Sequence, residues 1–306
     1  MHLSVILTQM GVIVIFLALG FFAKRKAWVH TAGTKDMSWL LVNLCGPAQV
    51  LFSILGSDRL PDRGLSFRIL ILSIAIYAVL ILAGRFMGPL LRAPRSEWKY
   101  YHVMVVFGNV GFLGLPLCEA ILGRGAMVYL VLFNIAYQIF FYTWALIKLQ
   151  PEGKEVRFSL RGFLNPGFIA TIISMICLFT GIRFPAVVSE AAKYMSNAVT
   201  FTSVFVIGAN LADNRLSELL RSRESYIFLA IRQLLVPIAA VLLFKHFISD
   251  PAIVGAMTIG LAVPVGNAPS MAAAASGCDL GTLTTTTVFT TMLSVITMTI
   301  VLLVAM

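Results

Sequence analysis

Charged residues are scarce in this chain. Only 12% of its 306 residues are Asp, Glu, Lys or Arg, whereas soluble globular domains contain about 25%. Hydrophobic residues make up 59% of the chain, and apolar runs of about 18 residues or more, enough to cross a bilayer, recur along its length. No polar stretch exceeds the size of a loop. The composition therefore argues against a soluble protein and predicts an all-α polytopic membrane protein.

Cysteine is also rare, and its four copies show no paired spacing. Cys45, Cys118, Cys177 and Cys278 are scattered in or beside apolar runs, which indicates neither a disulfide framework nor a metal site. The sequence contains no nucleophile–base pair, phosphate-binding loop or cluster of metal ligands. We therefore expect no cofactor, no bound metal and no enzymatic activity, and an intramembrane enzyme remains a remote alternative.

Acidic residues are outnumbered, which gives a formal net charge of +10. In membrane proteins such an excess holds loops on the cytoplasmic side, so it does not indicate nucleic acid. No Lys or Arg precedes the first apolar run, and Ala23–Lys26 follows it directly, an order that argues against a signal peptide. This order places both termini on the outer side if the chain has ten spans. The cytoplasmic loops then carry fifteen basic residues and the outer loops seven.

The apolar runs predict ten membrane spans in two halves of similar length, residues 1–150 and 151–306. The predicted spans are Leu3–Phe22, Trp39–Leu55, Phe67–Met87, His102–Ile121, Met127–Ile147, Gly167–Gly181, Ala198–Leu211, Tyr226–Phe247, Ala252–Ala275 and Leu283–Ala305. An odd number of spans in each half makes the second half enter the membrane from the opposite side. The pattern predicts two inverted five-helix repeats.

The fourth span of each half contains helix breakers. Span four carries GNVGFLGLPL from Gly108 to Leu117, and span nine carries GLAVPVGNAPS from Gly260 to Ser270. Gly and Pro cost about 1 and 3 kcal/mol in a helix interior, and non-helical backbone at membrane depth is tolerated only inside protein or beside a water-filled cavity. We therefore expect the two broken helices to cross near the midplane. Their half-helix N-termini would then bind an anion.

The candidate substrate-binding residues lie at or near these breaks. Asn109 and Asn267 offer amide donors and acceptors, which serve either the substrate or the broken backbone. Because we place the breaks at the prolines, Pro116→Ala is expected to leave the protein inserted but to impair transport. The complete candidate set is Asn109, Gly111, Gly114, Pro116, Gln138, Pro264, Gly266, Asn267 and Pro269.

Several further polar residues fall within or beside spans. Asn43 and Asn134 are predicted to form hydrogen bonds that pack helices against each other. Arg232 attracts an anionic substrate, snorkels towards the cytoplasmic surface, or forms a structural pair. Glu119 and Asp279 are either carriers of a coupling proton or solvated acids at the interface.

At the two broken spans the chain resembles the auxin efflux carrier family. NVGFLGLPL (Asn109 to Leu117) is similar to the family signature in the fourth helix, and LAVPVGNAPSMAAAA (Leu261 to Ala275) is similar to its ninth helix. GANLA (Gly208 to Ala212) resembles the end of the seventh helix. Gln138 stands near a family Gln, with a spacing one residue shorter before Tyr142 and Thr143. The chain lacks the long central loop of the plant carriers, so it looks like a short bacterial member.

The resemblance implies a fold of the sodium/proton antiporter and bile-acid symporter type. Spans one, two, six and seven would form a scaffold, and the others an elevator-type transport domain. Family substrates are organic anions, such as indole-3-acetate in plants and malate- or malonate-type acids in bacteria. The residue matching Asn109 contacts the substrate carboxylate in the plant carriers. A homodimer in the bacterial inner membrane is expected by analogy.

The predicted function is therefore secondary active or facilitative transport of small carboxylates, bound where spans four and nine cross. The nearest alternative is a sodium-coupled symporter of bile-acid or organic-anion type, in which unwound carbonyls coordinate sodium. A channel or a non-transporting membrane sensor is a more distant alternative. The expected partners are a carboxylate, the lipid bilayer, a second copy of the chain, and a coupling proton or sodium ion if transport is coupled.

Overall fold

A computed structural model describes residues 3–56, 62–150, 165–212 and 222–305. The described chain is helical. Its α-helical segments are α1 (Leu3–Arg25), α2 (Thr31–Leu55), α3 (Arg63–Gly84), α4 (Met87–Leu91), α5 (Trp98–Val106), α6 (Leu115–Leu122), α7 (Arg124–Lys148), α8 (Pro166–Thr180), α9 (Ala186–Ala212), α10 (Arg223–Phe247), α11 (Pro251–Ala262), α12 (Ala268–Ala275) and α13 (Gly281–Ala305). A short 3₁₀ turn, Arg95–Glu97, precedes α5.

Seven helices in the described residues are long and apolar enough to cross a membrane: α1, α2, α3, α7, α9, α10 and α13. Three of the predicted spans contain only shorter apolar helices, at Val110–Leu122, Pro166–Thr180 and Pro251–Ala262. The helical composition confirms a polytopic membrane protein. The inverted repeat of ten spans stays a prediction.

The loop assignment falls partly outside the described residues. The long connections of the sequence, Lys148–Arg161 and Asp213–Glu224, have most of their length there. Six of the counted basic residues are also outside: Arg59, Lys154, Arg157, Arg161, Arg215 and Arg221. The placement of both termini on the outer side therefore stays a prediction.

Wide π-helical turns interrupt the helices, mostly just before a proline. Leu41–Cys45 precedes Pro47, Val110–Gly114 precedes Pro116, and Ala230–Leu235 precedes Pro237. Each of these prolines occupies the first turn of the α-helical stretch that follows. A proline lacks a backbone donor and clashes with the carbonyl four residues earlier, and a wider turn relieves that clash. A fourth π segment, Phe141–Ala145, lies within α7.

The chain divides into two compact units whose segments alternate along the sequence. The first unit comprises Met1–Ile69, Gly111–Leu132 and Leu160–Asn214, and the second comprises Leu70–Val110, Phe133–Ser159 and Arg215–Met306. The first unit therefore contains predicted spans one, two, six and seven, the second part of span four, and the first residues of spans three and five. The boundary inside span four falls between Val110 and Gly111, directly after the broken segment.

Small residues let two helices of the first unit approach closely. A Cβ on Gly20 of α1 would come 2.0 Å from the Phe205 carbonyl oxygen of α9. A Cβ on Gly208 would likewise come 2.1 Å from the carbonyl oxygen of Leu17. Close contact through glycine is a common way for helices to associate in membranes, where apolar burial between helices contributes little.

A cluster of aromatic rings fills the second unit around Phe107. The Phe107 ring is fully buried, with its centroid 5.0 Å from that of Tyr137 and 5.2 Å from that of Phe141. Tyr77 of α3 stacks on Phe107 and lies 4.8 Å from Phe133. Such edge-to-face and stacked pairs each add about 0.5–1.5 kcal/mol beyond their burial. The cluster therefore anchors the residue at which α5 ends.

Candidate functional site

Span four breaks before its proline. Helix α5 ends at Val106, and Phe107 is extended, with φ −107° and ψ 94°. Gly108 and Asn109 continue outside the helix, and the chain then enters the π segment Val110–Gly114. Pro116 lies in the first turn of α6, where proline is well tolerated. The non-helical residues are therefore Phe107 to Asn109.

Span nine breaks in a similar place but over more residues. Helix α11 ends at Ala262, and Val263 is extended, with φ −56° and ψ 147°. The chain stays outside the α-helix until Ala268, where α12 begins with Pro269 in its first turn. Pro116 and Pro269 thus both follow their breaks and start the second half-helix.

The two broken segments pair with each other inside the second unit. Gly108 and Val265 form an antiparallel bridge. The Asn109 amide donates to the Pro264 carbonyl at 2.8 Å, and the Gly266 amide donates to the Phe107 carbonyl at 3.1 Å. Two backbone donors that the breaks release are satisfied in this way, as buried backbone groups require. The pairing supports the prediction that spans four and nine cross break against break.

Both sides of this crossing leave little room for a side chain. A Cβ on Gly266 would lie 3.0 Å from the Gly108 carbonyl oxygen, and one on Gly108 would lie 2.9 Å from Val263 Cγ2. The atoms next to Gly266 belong to the backbone, which cannot move aside cheaply, whereas those closest to Gly108 belong to the side chains of Val263 and Arg232. Gly111, by contrast, has no atom within 4 Å of its ideal Cβ position.

Asn109 is buried at the crossing, with 5% of its surface exposed. Its backbone amide is bonded to Pro264, but its side-chain amide has no hydrogen-bonding partner among the described residues. Asn267 is half-buried just before α12, and its side chain makes no capping bond to that helix. Of the two amides, Asn109 is the more deeply buried.

Arg232 joins the two breaks through one buried guanidinium. The side chain is 1% exposed, and its Nη1 donates to the Leu261 carbonyl in the last turn of α11. A Cβ on Gly108 would come 2.9 Å from Arg232 Nη2. Its Nε has no partner, and no carboxylate of the described chain pairs with it. The snorkelling alternative is therefore wrong, because the charge is buried at the crossing, whereas the bond to the Leu261 carbonyl agrees with a structural pair.

A family model with the description membrane transport protein matches residues 5–302. The chain belongs to this family, the auxin efflux carrier family. No curated protein matches the chain. Membership identifies an integral membrane transport protein and agrees with the prediction that the chain is not an enzyme.

The remaining candidate residues of this family member divide between the two units. Gln138 belongs to the second unit, where it is half-buried on α7 and takes part in a polar contact. Gly111, Gly114 and Pro116 belong to the first unit. There the Ser203 hydroxyl donates to the Phe112 carbonyl at 2.9 Å and so fixes the π segment. The substrate-binding roles of all nine candidates stay predictions.

A cavity of about 410 Å³ lies in the first unit beside α6, within the size range of small-molecule sites. It is bounded by α1, the π segment with α6, and α9. Of the candidate substrate-binding residues, Pro116 lines this cavity. The lining residues are Gln9, Val12, Ile13, Phe112, Leu113, Pro116, Leu117, Glu119, Ala120, Ser196, Asn197 and Thr200.

The two acids considered as proton carriers have structural partners. Glu119 Oε1 accepts from Arg124 Nε at 2.8 Å, and both side chains are partly exposed. Asp279 Oδ1 accepts from the Gly281 amide at 3.0 Å and shapes the turn before α13. Asn43 bonds back to the Trp39 carbonyl of its own helix at 2.9 Å, so its hydrogen bond does not join two helices as expected.

Gln233 is a polar residue that the sequence reasoning passed over. It is fully buried in the π segment Ala230–Leu235, and both of its amide atoms lack a partner within the described residues. The available signal was its position beside Arg232 and before Pro237 in an otherwise apolar span. Burying adjacent polar side chains inside a membrane span costs free energy, so such a pair indicates a functional region.

Proposed function

We propose that this family member carries small organic anions, carboxylates in particular, across the membrane by secondary active or facilitative transport. The substrate binds where the breaks of spans four and nine cross. The two units correspond to a scaffold and a transport domain that move as an elevator. We further propose a homodimer in a bacterial inner membrane, with both termini on the periplasmic side.

One observation carries this proposal: the crossing combines a buried cation with an unpartnered amide. Arg232 has no carboxylate counter-ion in the described chain, and the Asn109 side chain makes no hydrogen bond to a described residue. A buried charge is stable only when it is compensated, so the crossing favours an anion. A carboxylate would accept hydrogen bonds from the Arg232 guanidinium and from the Asn109 amide. Hydrogen bonds that involve a charged group are stronger than those between neutral groups.

Uptake into proteoliposomes tests the proposal. The purified protein is reconstituted and offered radiolabelled acetate, malonate, malate and indole-3-acetate, with empty liposomes as the baseline. We expect uptake of at least one acid that saturates and is blocked by an excess of the unlabelled acid. Asn109→Ala should reduce that uptake, while the control Gly11→Ala in α1, whose Cβ would meet no atom within 4 Å, should not.

Two outcomes would contradict the proposal. Uptake of none of the acids above the empty-liposome baseline would argue against carboxylate transport. Conduction at rates far above those of a carrier, without counter-transport of an internal acid, would favour a channel instead.

A further inference from the structure

We infer that Arg232 is the charge-selecting residue of the site, a fixed counter-cation that makes the crossing specific for anions. The inference rests on the proposed function, since it assigns to one residue the charge preference of that same site. The inference goes beyond the proposed function by naming the group that distinguishes a carboxylate from a neutral molecule of the same shape.

The position of the guanidinium is the first argument. Its Nη1 donates to the Leu261 carbonyl, at the carbonyl end of α11, and its Nη2 lies beside Gly108. The carbonyl end of a helix carries partial negative charge, so it holds a cation well. A planar guanidinium has five donors in a fixed fork. One hydrogen bond to the helix therefore leaves donors for a ligand.

The surroundings of the charge are the second argument. Arg232 is 1% exposed, its Nε is unpartnered, and no carboxylate of the described chain forms an ion pair with it. Arginine stays charged at physiological pH. The site therefore keeps a net positive charge until an anion enters it.

The neighbouring π segment is the third argument. Arg232 stands in the wide turn Ala230–Leu235, beside Gln233, whose fully buried amide has no partner among the described residues. Single π turns occur frequently at functional sites. Two buried polar side chains with unpartnered atoms in one π turn mark this turn as a functional region.

A charge-selectivity measurement tests the inference. Thermal shift in detergent gives the affinities of wild type, Arg232→Lys and Arg232→Met for malonate and for malonamide, its uncharged diamide. The control is Lys245→Met, which removes an exposed charge from the same helix α10; its Nζ donates to Val304. We expect Arg232→Met to weaken malonate binding about 30-fold or more, as loss of a buried charge partner does.

The expected pattern separates charge selection from a merely structural role. Wild type and Lys245→Met should prefer malonate to malonamide strongly, Arg232→Lys should keep most of that preference, and Arg232→Met should lose it. A destabilised fold would instead weaken both ligands equally and leave their ratio unchanged, which would overturn the inference.

The design also separates the two proposals. If none of acetate, malonate, malate and indole-3-acetate stabilises wild type, the proposed function fails. If malonate or another of these acids binds and Arg232→Met binds it equally well, only the inference fails. If Arg232→Met does not fold, the ratio of malonate affinity to malonamide affinity is compared between wild type and Arg232→Lys. A ratio near one in wild type would overturn the inference, and so would complete loss of the preference for malonate in Arg232→Lys.

Discussion

The paired breaks of spans four and nine and the π segment that follows the break of span four differ in how tightly they are packed. Where the breaks pair, a Cβ on Gly266 would lie 3.0 Å from the Gly108 carbonyl oxygen, and a Cβ on Gly108 would lie 2.9 Å from Val263 Cγ2. In the π segment, Gly111 has no atom within 4 Å of its ideal Cβ position. The difference teaches that the two breaks fix each other by close backbone packing, whereas the π segment next to them is open.

The largest effect is expected on the tight side of this comparison. Gly266→Val should disrupt the crossing, because its Cβ and methyl groups would meet the backbone of Gly108 and Asn109. We expect a loss of about 2–5 kcal/mol from overpacking and from the broken hydrogen bonds. Thermal unfolding in detergent measures it, with Gly11→Val as the control at an open position. Equal melting of Gly266→Val and wild type would show that the crossing tolerates a side chain.

The next effect concerns the unpartnered amide. Asn109→Ala should weaken carboxylate binding about 10- to 100-fold, since a hydrogen bond to a charged group contributes about 1.5–3 kcal/mol. The unfolding temperature without ligand should hardly fall, because the Asn109 side chain bonds no described residue. Asn267→Ala, at a half-buried position, should have a smaller effect on affinity. Titrations of the stabilising acid against both variants check this order, and the reverse order would contradict it.

At the open position of the comparison, Gly111, we expect a smaller effect, which changes substrate affinity and not stability. Gly111→Ala adds a methyl group where no atom lies within 4 Å, so stability should be kept or slightly raised. If the substrate uses that space, its affinity should fall about tenfold, which corresponds to about 1.4 kcal/mol. Paired melting and binding measurements test this. Unchanged affinity would remove Gly111 from the substrate site.

The smallest effect is expected at the prolines. Pro116→Ala should cost only about 0.4–1 kcal/mol, since a proline in the first helical turn stabilises mainly by restricting the unfolded chain. Substrate affinity should stay close to that of wild type. This expectation replaces the strong transport defect that the sequence alone predicts. A severe loss of transport in a well-folded Pro116→Ala variant would contradict this expectation.

The sequence was sufficient to predict that spans four and nine are broken and cross, because Gly and Pro are unfavourable in apolar helices. It did not locate the break in span four. Phe107 is a strongly apolar residue, and its extended backbone coincides with ring contacts to Tyr77 and Tyr137, which are distant in sequence. The burial of Arg232 was likewise beyond local reasoning, since it depends on the Leu261 carbonyl of another helix.

An isosteric change at Asn109 tests the central claim, that an anion binds at the crossing, most directly. Asn109→Asp keeps the shape of the side chain but places a negative charge where the carboxylate would bind. The measurement is the affinity of wild type and variant for the carboxylate that stabilises wild type most. We predict at least 30-fold weaker binding by Asn109→Asp, without a fall in its unliganded unfolding temperature. Equal affinity in the two proteins would contradict the claim.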